Sequence, residues 1–251
     1  MRPATSGHAA SAPAGLAISD SGWTLRPADT SLPAGRAVPY RFTIERPDGA
    51  VETSYQRVHT QDLHLIAVRR DLSTFQHVHP TRAADGTWSV PLDLDAGVYR
   101  VLADFRPAGA DHQLVLGADL LVPGELEPVD LPAPRASVTT VDGYLVTLHG
   151  TPVAGHESDL VLSVREGGRP VTTLQPYLGA YGHVVALRAG DLAYLHTHVE
   201  GTVGAADDDT GGPDLAFTMT FPTASTYRLF LDFRAAGVVR TAAFTVEVRD
   251  G

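Results

Sequence analysis

"GAVETSYQRVHTQDLHLIAVRRDLSTFQHVH", residues 49–79, lies without a gap over "GRPVTTLQPYLGAYGHVVALRAGDLAYLHTH", residues 168–198, when the chain is shifted by 119 positions. Gly49 meets Gly168, Gln56 meets Gln175 and Arg69 meets Arg188. Three histidines coincide as well: His64 with His183, His77 with His196, and His79 with His198. Each half carries H-x12-H-x-H, and self-similarity over this span means one structural unit built twice.

Farther along, "GVYRVLADFRPAG" from Gly97 matches "STYRLFLDFRAAG" from Ser225, now at an offset of 128. The nine extra residues fall in "GTVGAADDDTGGPD", where Gly, Asp and Pro mark an irregular loop. Between the halves, "VPGELEPVDLPAPRA" holds four prolines and reads as a stiff linker. The resulting division is an N-terminal tether over 1–15, a first repeat over 16–124, a linker over 125–136 and a second repeat over 137–251.

Short hydrophobic runs separated by "PDG", "ADG", "DAG" and "PAG" turns predict strands and no helix. In the first half the runs are Trp23–Arg26, Ala37–Glu45, Leu63–Arg69, Phe75–His79, Trp88–Leu92, Val98–Phe105 and Gln113–Val122. Seven such strands form an antiparallel β-sandwich. Tyr99, Val101, Ala103 and Phe105, alternating with Arg100 and Asp104, predict one buried face and one wetter face.

Composition narrows the function classes. With 251 residues and 43% hydrophobic content the chain can bury a real core, and a formal charge of -10 disfavours nucleic acid and anionic membrane as partners. No cysteine is present and only two methionines, which removes disulfides and soft-ligand metal chemistry. No apolar run has the length of a membrane span, so no membrane insertion is expected. The polar start "MRPATSGHAASAPAG" suits a tether of an exported protein whose signal or anchor is not in this sequence.

His64 begins the alternating set His64, Ile66, Val68, while His77 and His79 share a strand face with Phe75. His183 begins the matching set with Val185 and Leu187, and His196 and His198 share a face with Tyr194. If the two strands are hairpin neighbours about 4.8 Å apart, three imidazoles converge at one end of the sheet. Three neutral imidazoles suit Cu(II) or Zn(II), and the general affinity order favours Cu(II). Their binding should weaken as pH falls through roughly 6.5. His59, which has Leu178 opposite it, joins the site only if a bend intervenes, because it lies at the opposite strand parity from His64. A lone H-x-H is more often a structural pair than a ligand pair. Retention of three histidines in both halves is what favours metal.

Asp104 and Asp232, both in "DFR", read as ion-pair partners of Arg100 and Arg228 or as turn caps, with an acceptor role toward an imidazole N–H as the alternative. Asp207, Asp208 and Asp209 lack the spacing of a calcium loop. His8, His112, His149 and His156 have no counterpart in the other half and no assigned role.

The segments "DLHLIAVRRDLSTFQHVHP" and "LQPYLGAYGHVVALRAGDLAYLHTH", with the two "DFR" strands, resemble a family of bacterial exported proteins often labelled secreted or heavy-metal-associated. The resemblance implies two Ig-like or cupredoxin-like sandwiches outside the cytoplasm, connected with metal handling. A metal transporter or chaperone is the partner to expect of a chain that sequesters or delivers such an ion. The second repeat departs from "HVHP" by reading "HTHVE".

Two other classes compete with a metal-sequestering or metal-delivering protein. One is a zinc-dependent hydrolase with an open three-histidine site, for which no base, shuttle or nucleophile motif is evident. A double cupin fits less well, since Glu200 follows His198 too closely and no later histidine exists. The other is a structural or adhesive module without metal, since sandwiches host many functions.

Overall fold

A computed structural model describes residues 13–140, 142–195, 198–199 and 209–251, and among them every named strand pair is antiparallel and no helix occurs. The first repeat runs β1 (Ser19–Asp20), β2 (Trp23–Pro27), β3 (Gly35–Glu45), β4 (Tyr55–Gln56), β5 (Leu63–Arg69), β6 (Phe75–Val78), β7 (Thr81–Arg82), β8 (Trp88–Leu94), β9 (Gly97–Pro107) and β10 (Leu114–Val122). The second runs β11 (Ser137–Thr139), β12 (Tyr144–His149), β13 (Glu157–Glu166), β14 (Arg169–Pro170), β15 (Gly182–Arg188), β16 (Tyr194–Leu195), β17 (His198–Val199), β18 (Asp214–Thr220), β19 (Ser225–Ala235) and β20 (Val238–Val248). All seven strands expected in the first repeat occur, while β1, β4 and β7 are two residues each, too short to leave a period.

The first repeat pairs a β1-β2-β3-β8-β7 sheet with a β10-β9-β5-β6 sheet. The second repeats the order as β11-β12-β13-β18-β17 and β16-β15-β19-β20. Two antiparallel sheets in this order, with the chain crossing between them, are the immunoglobulin arrangement. Inward residues such as Leu25, Tyr40, Phe42, Leu65, Trp88 and Phe105 fill the first core, and Val146, Leu162, Phe217, Leu231, Phe233 and Phe244 fill the second.

Three expectations change. First, β9 has no wet face: Arg100 is 8% exposed, Leu102 0% and Asp104 3%. The outer faces of β5 and β9 are covered by those of β15 and β19, so Ile66, Val68 and Leu102 form a third core with Val185, Leu187, Tyr194 and Phe230. Phe75 stacks on Phe230 at 4.0 Å between ring centroids. Burying a large apolar side chain contributes roughly 1.5–3 kcal/mol, so this seam is a substantial interface and β5 is buried along its whole length.

Second, the gap-free alignment slips by one residue in the turn after β5. Leu72 and Leu192 are the buried residues at positive φ, and Arg69 pairs with Asp71 where Arg188 pairs with Asp191. Third, "YLHTH" is not one strand. Tyr194–Leu195 pairs with β15, whereas His198–Val199 pairs with β18 in the opposite sheet. Pro80 occupies the first-repeat position of Val199 and lacks the N–H that such pairing uses.

The segment before β1 enters the seam between the repeats. Ala14 and Gly15, placed at the end of the expected tether, are held there: Tyr194 N–H donates to the Ala14 carbonyl at 2.9 Å, and Gly15 N–H donates to Val115 at 3.0 Å. The Arg100 guanidinium donates to the Gly15 carbonyl at 2.8 Å and to Leu16 at 2.5 Å. Gly117 makes the room, since a Cβ there would lie 2.0 Å from the Gly15 oxygen. The second repeat has Ala243 at this position, paired with Phe230 as Gly117 is with Leu102, and the hydroxyl of Thr245, which stands where the first repeat has Asp119, takes the Arg228 guanidinium. No helix among the described residues is long and apolar enough to cross a membrane.

Candidate metal centre

His64 points from β5 into the seam, directly opposite Asp104 on β9. On the other side of β5, the β6 register places His77 opposite Ile66, and His79 follows the last residue of β6. His64, His77 and His79 each offer one ring nitrogen, all within 4.8 Å of one another. His64 Nδ1 lies 3.0 Å from His77 Nε2 and 3.2 Å from His79 Nε2. Ligands about 2.0–2.1 Å from one ion, at angles of 90–109°, are separated by about 2.9–3.4 Å.

The far nitrogens fix which atoms face inward. His64 Nε2 lies 2.9 Å from the Val58 carbonyl, which only accepts, so Nε2 carries the proton and Nδ1 the lone pair. His77 Nδ1 donates at 3.0 Å to Oδ2 of Asp232, which in the neutral ring leaves Nε2 with a lone pair. Oδ1 of the same carboxylate accepts the Thr241 hydroxyl at 2.6 Å. With both rings neutral, two lone pairs meet at 3.0 Å. A proton on His79 Nε2 relieves one contact of the cluster, and a Lewis acid relieves all of them. Imidazoles anchored at the distal nitrogen by carbonyl or carboxylate are the usual support of metal ligands.

Burial and then the neighbouring His77 push His64 down to about 4, and the same two causes push His79 down to about 3. Both are neutral at neutral pH, as ligation requires. The acid loss expected near 6.5 moves correspondingly lower.

His59 reaches the site through a left-handed turn, with φ of 48° at His59 and 69° at Thr60 and a bridge between Val58 and Gln61. This is the bend that its strand parity demanded. Its ring centroid is 6.1 Å from that of His64 and 5.2 Å from that of His183. His183, on β15, repeats the His64 device by donating from Nε2 to the Tyr177 carbonyl at 2.8 Å, and burial lowers it to about 3. A cavity of about 30 Å³, room for about one water, lies between the repeats. Its walls include His59, His64, His77, Asp104, His183 and Tyr194. His196, Asp207 and Asp208 lie outside the described residues, and of His198 only the β17 backbone is described.

The "DFR" aspartates are not partners of Arg100 and Arg228. Asp104 accepts the Tyr194 hydroxyl at 2.8 Å and a Gln113 N–H, and Asp232 accepts His77, so the alternative reading of Asp232 holds. Arg100 is drawn away to Asp119 and the N-terminal carbonyls. The contributions of Tyr194 and of the Val58 and Tyr177 carbonyls had no signal in spacing. That of Asp232 had one, the repeated "DFR".

A family described as Domain of unknown function (DUF8832) matches residues 18–118 and, a second time, 139–250. Among solved structures, the Escherichia coli adhesin FdeC is 14% identical, covering 92% of this chain and 65% of its own, with a TM-score of 0.28. The D0-D1 domain of Intimin is 13% identical over 90% of this chain and 97% of its own, with a TM-score of 0.24. A marsupial T cell receptor is 11% identical over 90% and 99%, with a TM-score of 0.25. Likeness of this depth adds nothing to the strand order already described. No curated protein matches the chain.

Proposed function

The chain belongs to that family, whose domain it carries twice, and we propose that it binds a transition metal, Cu(II) or Zn(II), through His64, His77 and His79. The observation that supports this is the pair of ring nitrogens 3.0 Å apart on His64 and His77, each ring held by an acceptor at its distal nitrogen. Sequestration or delivery fits better than catalysis, because the adjoining cavity of about 30 Å³ admits a water and not a substrate of several atoms. His183, His196 and His198 form the corresponding set of the second repeat in this proposal, and His59 lies beside both His64 and His183. Work outside the cytoplasm, with a metal transporter or chaperone as donor or acceptor, completes the proposal.

The test is calorimetric titration of chelator-stripped protein with Cu(II) and Zn(II), beside a variant with His77→Ala and His79→Ala. Saturable binding that loses one ion in the variant supports the reading. Binding no stronger than that of scattered surface histidines refutes it. A second reading, a structural or adhesive module, draws on the seam itself, whose apolar cluster and Phe75–Phe230 stack need no ion. That reading expects a melting temperature indifferent to both metals.

A further inference from the structure

The triad belongs to the first repeat, yet the acceptor that orients one of its members belongs to the second. Asp232, 155 residues from His77, lies on β19, and both side chains are 5% exposed. The same short strand, β6, carries Phe75, which stacks on Phe230 of β19. β6 thus has two duties. On its β5 side it must bring His77 and His79 to His64, and on its outer side it must seat Phe75 and His77 against β19. Tyr194 of β16, the counterpart of Phe75, reaches back to Asp104 of β9, so each repeat's short strand engages the other's "DFR" strand.

We propose that a metal ion held by His64, His77 and His79 locks the two repeats together, with Asp232 as the positioning residue that couples ligation to docking. This rests on the metal-binding reading above. An undocked second repeat leaves the His77 Nδ1 without its carboxylate, so the imidazole loses both its fixed tautomer and its orientation. Ligation then has to supply the ordering that docking otherwise supplies. By linkage, whatever factor docking contributes to metal affinity, metal contributes to docking.

The experiment uses the full chain. Zn(II) affinity is measured for the wild type, Asp232→Asn, Asp232→Ala and Phe230→Leu, the last touching neither a ligand nor the carboxylate. Docking is read independently from the distance between spin labels on cysteines introduced at exposed Asp48 and Glu166, a choice that the absence of native cysteine makes clean. The expected result is a 10- to 100-fold loss of affinity in Asp232→Ala, a smaller one in Asp232→Asn, and a loss in Phe230→Leu. Zn(II) should also narrow the label distances in Phe230→Leu. In the metal-free protein, imidazole nitrogen shifts should show His77 leaving the Nδ1–H form in Asp232→Ala, which a merely structural carboxylate would not produce. Wild-type binding with unchanged affinity in all three variants overturns the lock and leaves the metal reading standing. No binding by the wild type overturns both, even if the tautomer change is seen.

Discussion

Acidification of the metal-free protein from pH 7.5 to pH 5.0 should destabilise it by about 4 kcal/mol through two histidines alone. His64 and His183 are 5% and 7% exposed, and burial lowers them to about 4 and about 3. An unfolded histidine titrates near 6.5, so between those values the unfolded chain binds protons that the folded one refuses. Stability is therefore full above pH 6.5 and is lost as pH falls toward the folded values. At pH 5.0 the loss per group is about 1.36 × 1.5, or about 2 kcal/mol, and it depends on the unfolded value and the pH rather than on how far below 5 the folded value lies. His79 acts in the same direction. Carboxylates do not confuse the window, because their unfolded values near 4 place their contribution below pH 5. The assay is urea unfolding with chelator present at the two pH values, for wild type and His183→Gln, following tryptophan fluorescence and far-UV circular dichroism. The midpoint should fall at pH 5.0 and fall less in His183→Gln. A wild-type midpoint equal at both pH values would refute the burial argument, as would a variant with the full loss.

Zn(II) or Cu(II) at about 100 times its Kd should raise stability by about 2.7 kcal/mol at pH 7.5, and chelator should reverse it. Calorimetric melting checks this, and His77→Ala with His79→Ala should abolish the increment. Gly117→Ala, whose Cβ would meet the Gly15 oxygen at 2.0 Å, should expel the N-terminal segment and cost about 1–3 kcal/mol, with hydrogen exchange rising at Gly15 and Tyr194. Phe75→Ala, which removes the stack on Phe230, should cost about 3 kcal/mol, and Phe75→Leu should cost less than half as much.

The duplicated sandwiches were legible because core strands alternate: β8 reads Trp88, Val90, Leu92, Leu94 inward, and nothing outside the repeat alters that. The seam was not legible, because Arg100 and Asp104 are polar and polar residues ordinarily face water. They are buried here because the second repeat supplies Tyr194 to Asp104, and the segment before β1 supplies the Gly15 and Leu16 carbonyls to Arg100. The first triad could be read from strand parity. His59 could not, since its entry depends on two consecutive left-handed residues, neither of them glycine. The repeated "DFR" marked Asp232 as a candidate acceptor but not which imidazole it takes, because 155 residues separate it from His77 and only the packing of two sheets brings them together.

The N-terminal segment wedged between the repeats has a mechanical meaning. Tension applied along residues 14–17 is borne by Tyr194 N–H in the second repeat and by Arg100, Val115 and Gly117 in the first. Such a pull shears both domains along their common boundary before it can peel a strand from either sandwich. The boundary that houses the imidazole cluster is then the first part of the molecule to feel the load.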